Sequence, residues 1–324
     1  MPRHRSPPPE GLTTTQLALG LDLGGTHIRS VVAHTGPAVP RIVGRDARQT
    51  PRSGADAIVL EIASSARAAL TSAGAALADV AVAACSAPGP LDFRSGVVHE
   101  APNLAGMVAF PLGQRLAEAL GMTVFVDHDT AMAAVGEAVA GAARGAKDFV
   151  YITVSTGLGG QIVSGGRMLR GVRGTAGELG HFPVALEGPR CGCGSFGCAE
   201  SLAAGRNLAE QFGVERAELV YEAAARGDRR AVALIERAEA ALGNLAVGLV
   251  NALNPALIVV GGAVAEHQPE HVLGPMERAI EARAFRVPAA SVRVVRADLG
   301  ADVALLGSVL AAGERAAGRG EWFL

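Results

Sequence analysis

The chain has 324 residues, enough for one large domain or two ordinary ones, and it can bury a sizeable core without a disulfide framework. Its apolar content of 49 % suits a packed globular protein, and 42 glycines with few aromatics point to small-residue helices and tight turns. A net charge of −2 and a pI near 6.5 leave no electrostatic footprint for nucleic acid or an acidic membrane surface.

The chain opens with "MPRHRSPPPEGLTTTQ" (residues 1–16), basic and proline-rich, which predicts a disordered tail. It lacks the apolar core of a signal peptide, and no run of about 18 apolar residues follows anywhere, so no membrane span is predicted. The expected compartment is a reducing cytoplasm, where clustered cysteines are metal ligands rather than disulfides. From residue 17, "LALGLDLGGT" and "IRSVVAH" read as two strands around a glycine turn. Residues 55–74 have helical apolar spacing, and "VAVAACSAPGPLD" is a strand entering a Pro-Gly turn. A short helix over 111–121 precedes the strand "TVFVD" and a small-residue helix over 130–145. "FVYITVS" and "GGQIVSGG" form a hairpin; residues 201–252 read as almost wholly helical. "ALIVVGG" and "VRVVRADL" are strands, and "ALLGSVLAAGERA" is a closing helix. Alternating strands and helices predict an α/β fold. The strand–glycine-turn–strand unit near residue 18 recurs near residue 149, which suggests two related α/β domains meeting near residue 126.

Four stretches carry chemistry. In "DLGGTHIR", Gly24 and Gly25 let backbone N–H groups approach an anion, Thr26 adds a hydroxyl, and Asp22 could hold a hydrated Mg²⁺; an ordinary β-turn is the simpler alternative. No GxxxxGK[ST] is present, and a Rossmann site is poorly supported. "STGLGG" repeats the logic with Ser155, Thr156 and Gly157, so two such turns could cradle a polyphosphate. Gly261 and Gly262 could leave a slot for a base or ribose, though a plain strand-end turn accounts for them as well.

In "VFVDHDTAMAAVGE", Asp127 and Asp129 stand where a strand meets a helix. Either could be an N-cap; a general base at the C-terminal edge of a parallel sheet is the functional reading, with Asp129 the better placed. Finally, His181, Cys191, Cys193 and Cys198 follow one another at intervals of ten, two and five positions. Three thiolates and an imidazole predict a closed, tetrahedral, structural Zn²⁺ site with no position open for water. A Cys191–Cys193 disulfide would close a very small, strained ring. Cys85 reads as a buried apolar residue.

Together, "DLGGTHIR", "APGPLD", "APNL", "DHDTAMAAVGE", "STGLGG", "GELGH", "CGCGSFGCAES" and "LNPALIVVGG" resemble, in this order, the ROK family of sugar kinases and sugar-responsive repressors, over about residues 17–318. Each motif is weak alone, but the ordered set is specific, and it looks most like the bacterial glucokinases of that family. The resemblance implies an actin-like ATPase fold, with two ribonuclease H-like α/β domains flanking a cleft. The smaller would span 17–126 and be completed by a helix at 302–318; the larger would span 127–301 and carry the zinc loop. It implies transfer of the ATP γ-phosphoryl group, with Mg²⁺, to the 6-hydroxyl of a hexose. Asp129 matches the family's base. Asn103, Glu178, His181 and Glu200 match its sugar ligands, with Gly89 of the Pro88-Gly89 turn alongside. Homodimers or homotetramers are usual.

The family's repressors carry a winged helix ahead of this core; the residues before position 17 here are too few for one, so the repressor reading is disfavoured. Two departures stand out. His128-Asp129-Thr130-Ala131 replaces Asn-Asp-x-Asn, which puts an imidazole where an amide binds sugar hydroxyls and leaves the choice of sugar open among glucose, N-acetylmannosamine, N-acetylglucosamine and fructose. Ser155 and Gln161 stand where glycine is usual.

Overall fold

Two five-stranded sheets of the same design make up the molecule. The computed structural model describes residues 16–36, 39–101 and 103–318; apart from Gln16, the expected tail lies outside them. The first sheet is built from β1 (Leu17–Leu23), β2 (His27–His34), β3 (Arg41–Gln49), β4 (Val80–Ala87) and β8 (Val124–His128), in the order β3-β2-β1-β4-β8. The intervening elements are α1 (Ala55–Ala73), α2 (Leu112–Leu120) and a small sheet of β5 (Leu91–Asp92), β6 (Val97–Glu100) and β7 (Val108–Phe110). β1, β2 and β3 pair antiparallel, and β1, β4 and β8 parallel.

After α3 (Asp129–Ala140), β9 (Phe149–Val154), β10 (Leu158–Ser164) and β11 (Arg167–Met168) form the antiparallel part of the second sheet. Four helices follow: α4 (Ala199–Ala203), α5 (Gly205–Phe212), α6 (Ala217–Ala225) and α7 (Arg229–Leu253). The parallel strands are β12 (Leu257–Gly261) and, beyond α8 (Ala263–His267), α9 (Pro269–Arg283) and α10 (Arg286–Ala289), β13 (Arg293–Arg296). The order β11-β10-β9-β12-β13 repeats that of the first sheet strand for strand, so the predicted doubling is a doubling of topology.

The layers follow from which faces are apolar. β9 is buried on both sides: Phe149 and Tyr151 join the core that contains the first sheet, and Val150, Ile152 and Val154 join a second core under α5–α9. Alternate side chains of a strand point to opposite faces, so a run of six apolar or small residues needs partners on both. The inner partner is α3, which packs against β9, β10 and the last helix, α11 (Val303–Ala316). α11 lies against β1 and β4, and Ser308 Oγ donates to Leu21 O. α3 and α11 approach through glycines. A Cβ on Gly307 would run into Met132 O, and one on Gly136 would lie 3.2 Å from Val303 O.

One expectation is corrected, and two parts of the fold were not foreseen. The small-residue helix ends at Ala140 rather than Gly145, because the Glu137 carboxylate accepts from Ala142 N at 2.7 Å and turns the chain out of the helix. β3 was not foreseen: its Arg, Asp and Gln lie on an edge strand covered by α1 on one face only, so it lacks an apolar run. The small sheet and α8–α10 also carried no clear period.

Candidate functional site

The cleft lies at the C-terminal ends of β4 and β8, the edge where parallel sheets place their ligands. β8 ends in Asp127 and His128, and α3 begins at Asp129. His128 is the N-cap, its Nδ1 3.4 Å from Thr130 N and 2.7 Å from Thr130 Oγ1. Asp129 Oδ1 accepts from Thr130 N at 2.6 Å and lies 2.9 Å from His128 Nδ1. Among the described residues no protein group donates to Oδ2, and the side chain is 47 % exposed. One oxygen is therefore fixed and the other is left open at the start of α3, which is what a proton acceptor requires.

The electrostatics agree with this division. Burial pushes the Asp129 carboxyl pKa up, but His128 and the Thr130 N–H more than offset it and hold it below the usual carboxylate range. Burial pulls His128 down, while the Asp129, Glu178 and Asp127 carboxylates push it up, to about 9. Asp127 has a different task. It is 3 % exposed; Arg170 Nη1 and Nη2 donate to its two oxygens at 3.0 and 2.6 Å, and His128 N donates at 2.8 Å.

About 300 Å³ of open space adjoins these residues, lined by Pro90, His128, Thr130, Gln161, Arg170 and Glu178 among others. Gly89 roofs the imidazole: a Cβ there would lie 2.5 Å from His128 Cδ2, so only glycine lets the Pro88-Gly89-Pro90 turn rest on the ring. Glu178 reaches the cavity from the turn before the 3₁₀ segment Leu179–His181. Two further expected sugar ligands stand beside the glycine turns. Asn103 lies beside Gly25 of the first glycine turn, and Glu200 Oε2 accepts from Leu158 N at 3.2 Å, beside Gly157.

The two glycine turns occupy equivalent places, after β1 and after β9. Gly24 N donates to His27 O at 2.9 Å and Thr50 Oγ1 to Gly24 O at 2.7 Å, leaving Gly25 and Thr26 exposed. Ser155 N donates to Gly157 O at 2.9 Å, while Ser155 O and Thr156 O accept from Gly205 N and Arg206 N of α5. Gly261 and Gly262 end β12 against β9; a Cβ on Gly262 would lie 2.6 Å from Thr153 Oγ1, so packing alone requires glycine there.

Asp22 is buried, and its carboxylate is already engaged. Arg29 Nε and Nη2 donate to Oδ2 at 2.9 and 2.7 Å, and Ser86 Oγ donates to Oδ1. Three of about four acceptor sites are filled, so Asp22 could take about one water of a hydrated Mg²⁺ and no inner-sphere contact without losing Arg29.

The zinc reading passes a direct test. The ligand atoms of His181, Cys191, Cys193 and Cys198 lie within 4.8 Å of one another. Zn–S bonds of about 2.3 Å at the tetrahedral angle imply S···S separations of about 3.8 Å. Cys193 Sγ and Cys198 Sγ are 3.8 Å apart, and Cys191 Sγ lies 3.4 Å from His181 Nδ1, so these four residues could hold the ion. Cys85, fully buried in β4, is outside this group.

Sequence reasoning missed Arg170 and Gln161 as parts of the cavity wall. Gln161, 3 % exposed, donates from Nε2 to Leu169 O at 3.1 Å and to Ile162 O at 3.3 Å. Its break with glycine was the one local signal; Arg170 had none. No helix among the described residues is long and apolar enough to cross a membrane.

Against known proteins, the profile of the ROK family matches residues 18–314. A glucokinase of Halalkalibacterium halodurans is 33 % identical over 310 residues, covering 89 % of this chain and 92 % of that protein. An N-acetylmannosamine kinase of Escherichia coli is 36 % identical over 219 residues, 66 % of this chain and 73 % of that protein. The crystal structure of a ROK family glucokinase from Streptomyces griseus, in complex with glucose and AMPPNP, superposes with a TM-score of 0.77 at 30 % identity, covering 92 % of this chain and 99 % of that one.

Proposed function

The chain belongs to the ROK family, and we propose that it is a sugar kinase that transfers the γ-phosphoryl group of ATP to the 6-hydroxyl of a hexose, glucose first among them. The observation that carries the reading is Asp129, with Oδ1 held by Thr130 N and His128, Oδ2 unengaged among the described residues, and its neighbours His128 and Thr130 lining a cavity that Glu178 also lines. The sugar lies in that cavity, between a lobe formed by residues 17–126 with α11 and a lobe formed by 127–301. Glu178 and His128 bind its hydroxyls, and Oδ2 accepts the proton of the hydroxyl that attacks. The turns at Gly24–Thr26 and Ser155–Gly157 hold phosphates with backbone N–H groups and hydroxyls. Mg²⁺ carried in with the nucleotide supplies charge neutralisation. For the protein the work is positioning, since the transferred group needs little covalent help. Zinc, held by His181 and the three cysteines, fixes the loop that delivers Glu178.

A second reading, an N-acetylmannosamine kinase, is favoured by the E. coli relative of that name and by His128, whose imidazole changes the hydroxyl partners. A coupled assay with ATP against glucose, mannose, N-acetylglucosamine, N-acetylmannosamine and fructose decides between them. Glucose is expected to be the best substrate; activity on an N-acetyl sugar without activity on glucose selects the second reading. In the same assay Asp129→Asn should lose about 10²–10⁴-fold in kcat. A loss under tenfold removes Asp129 as the base.

A further inference from the structure

We infer that Arg170 is a positioning residue: its buried ion pair with Asp127 ties the loop that carries Glu178 to the strand end that carries His128 and Asp129, so one contact sets both walls of the cavity. The inference rests on the kinase reading for its functional consequence, but the tether itself is geometry.

Arg170 and Asp127 are 7 % and 3 % exposed; Arg170 lies two residues beyond β11 of the second sheet and Asp127 in β8 of the first, 43 residues apart in sequence. The two guanidinium nitrogens Nη1 and Nη2 meet the two carboxylate oxygens, and the guanidinium stacks 4.1 Å from the centre of the Phe93 ring. A fork on a carboxylate and a plane on a ring fix direction as well as distance. Asp127 passes this to the base, because its Oδ1 also accepts from His128 N at 2.8 Å, one residue before Asp129. Arg170 passes it to Glu178, because its own carbonyl accepts from Ala176 N at 3.0 Å and closes the loop Gly171–Thr175. From the other side Gln161 holds Leu169 O, and Gly177 rests against Gln161.

Stability alone does not explain the pair. Arg170 Nε is buried without a partner among the described residues, and replacing a buried ion pair by apolar residues of similar size is often neutral or stabilising. What apolar residues cannot reproduce is the fixed orientation.

The test is the double variant Asp127→Leu/Arg170→Met, which removes both charges and leaves neither unpaired. We expect it to fold, with amide hydrogen exchange over residues 171–178 of the sugar-free protein faster by about tenfold or more and exchange in α7 unchanged. With the hexose that the wild type phosphorylates, KM for the sugar should rise about tenfold while KM for ATP stays within about twofold. Wild-type exchange over 171–178 overturns the tether. An unchanged sugar KM together with an unchanged kcat overturns the positioning role. Should the wild type phosphorylate no hexose, the kinase reading fails, and the exchange measurement still decides on the tether. Arg170→Lys keeps the charge but cannot form the fork, so it provides the same readouts in milder form if the double variant does not fold.

Discussion

At the scale of residues, the cleft is organised by which carboxylates are free. Asp127 is consumed by Arg170 and Asp22 by Arg29 and Ser86, whereas Glu200 is engaged through Oε2 alone, by Leu158 N. Asp129 keeps one oxygen unengaged. Its neighbour His128 gives a pH signature. The folded imidazole titrates near 9, above an unfolded value near 6.5, so the His128–Asp129 pair contributes stability that is full below about pH 6.5 and lost as pH rises through about 9. Wild-type melting temperature should therefore fall, relative to His128→Gln, across that interval. Parallel curves for the two proteins between pH 6 and 10 count against a charged pair. The cluster of three cysteines with His181 was legible at this scale because such a grouping is encoded by residue type and short spacing.

At the scale of elements, the second strand of the second antiparallel unit leads into a functional segment. β10 passes through β11 into the loop of Arg170 and Glu178, and the 3₁₀ turn Leu179–His181 then packs back on β10, where a Cβ on Gly180 would collide with Leu158 O. The cysteine loop is pinned to the same turn by the Pro183–Cys198 bridge and by Ala199 N donating to Phe182 O at 3.0 Å. Val184 N and Ala185 N also donate to Gly197 O, and the proposed zinc is expected to add to these ties in holding the element. Elemental analysis should give one zinc per chain. Its removal by a chelator should lower the melting temperature and raise the sugar KM more than the ATP KM. Metal-free protein with unchanged melting and kinetics rules out that role. The edge strand β3 and the small sheet β5–β7 were not legible, since neither has an apolar period long enough to stand out.

At the scale of the whole molecule, α3 and α11 fill the layer between the sheets, and Glu137 holds the crossing in place. Its fully buried carboxylate accepts from Ala142 N, Asp298 N and Leu299 N at 2.7, 3.1 and 3.0 Å. It thereby joins the end of α3 to the segment that carries the chain from β13 back to the first sheet. Arg29 anchors that return from the other side through Ala301 O at 3.0 Å. Glu137→Ala leaves three donors without partners and should cost on the order of 3 kcal/mol in urea unfolding, at about 1 kcal/mol or more each. Glu137→Gln, which keeps one acceptor oxygen, should lose less. A cost below about 0.5 kcal/mol for the alanine variant means water replaces the carboxylate, and the crossing is held by helix packing alone.

By itself the sequence determined the strand–turn–strand units, the aspartate at a strand–helix junction, the grouping of His181 with the three cysteines and the family, because each depends on residue type at short range. Only the tertiary structure decided that Asp127 is a partner of Arg170 rather than a second base, that Asn103 and Glu200 stand beside the glycine turns, and that α11 lies between the sheets. These rest on pairs 42 to 287 residues apart, such as Leu158–Glu200 and Leu21–Ser308. No local period encodes such pairs; they follow from which apolar faces must be covered and from the rule that a buried charge finds a partner.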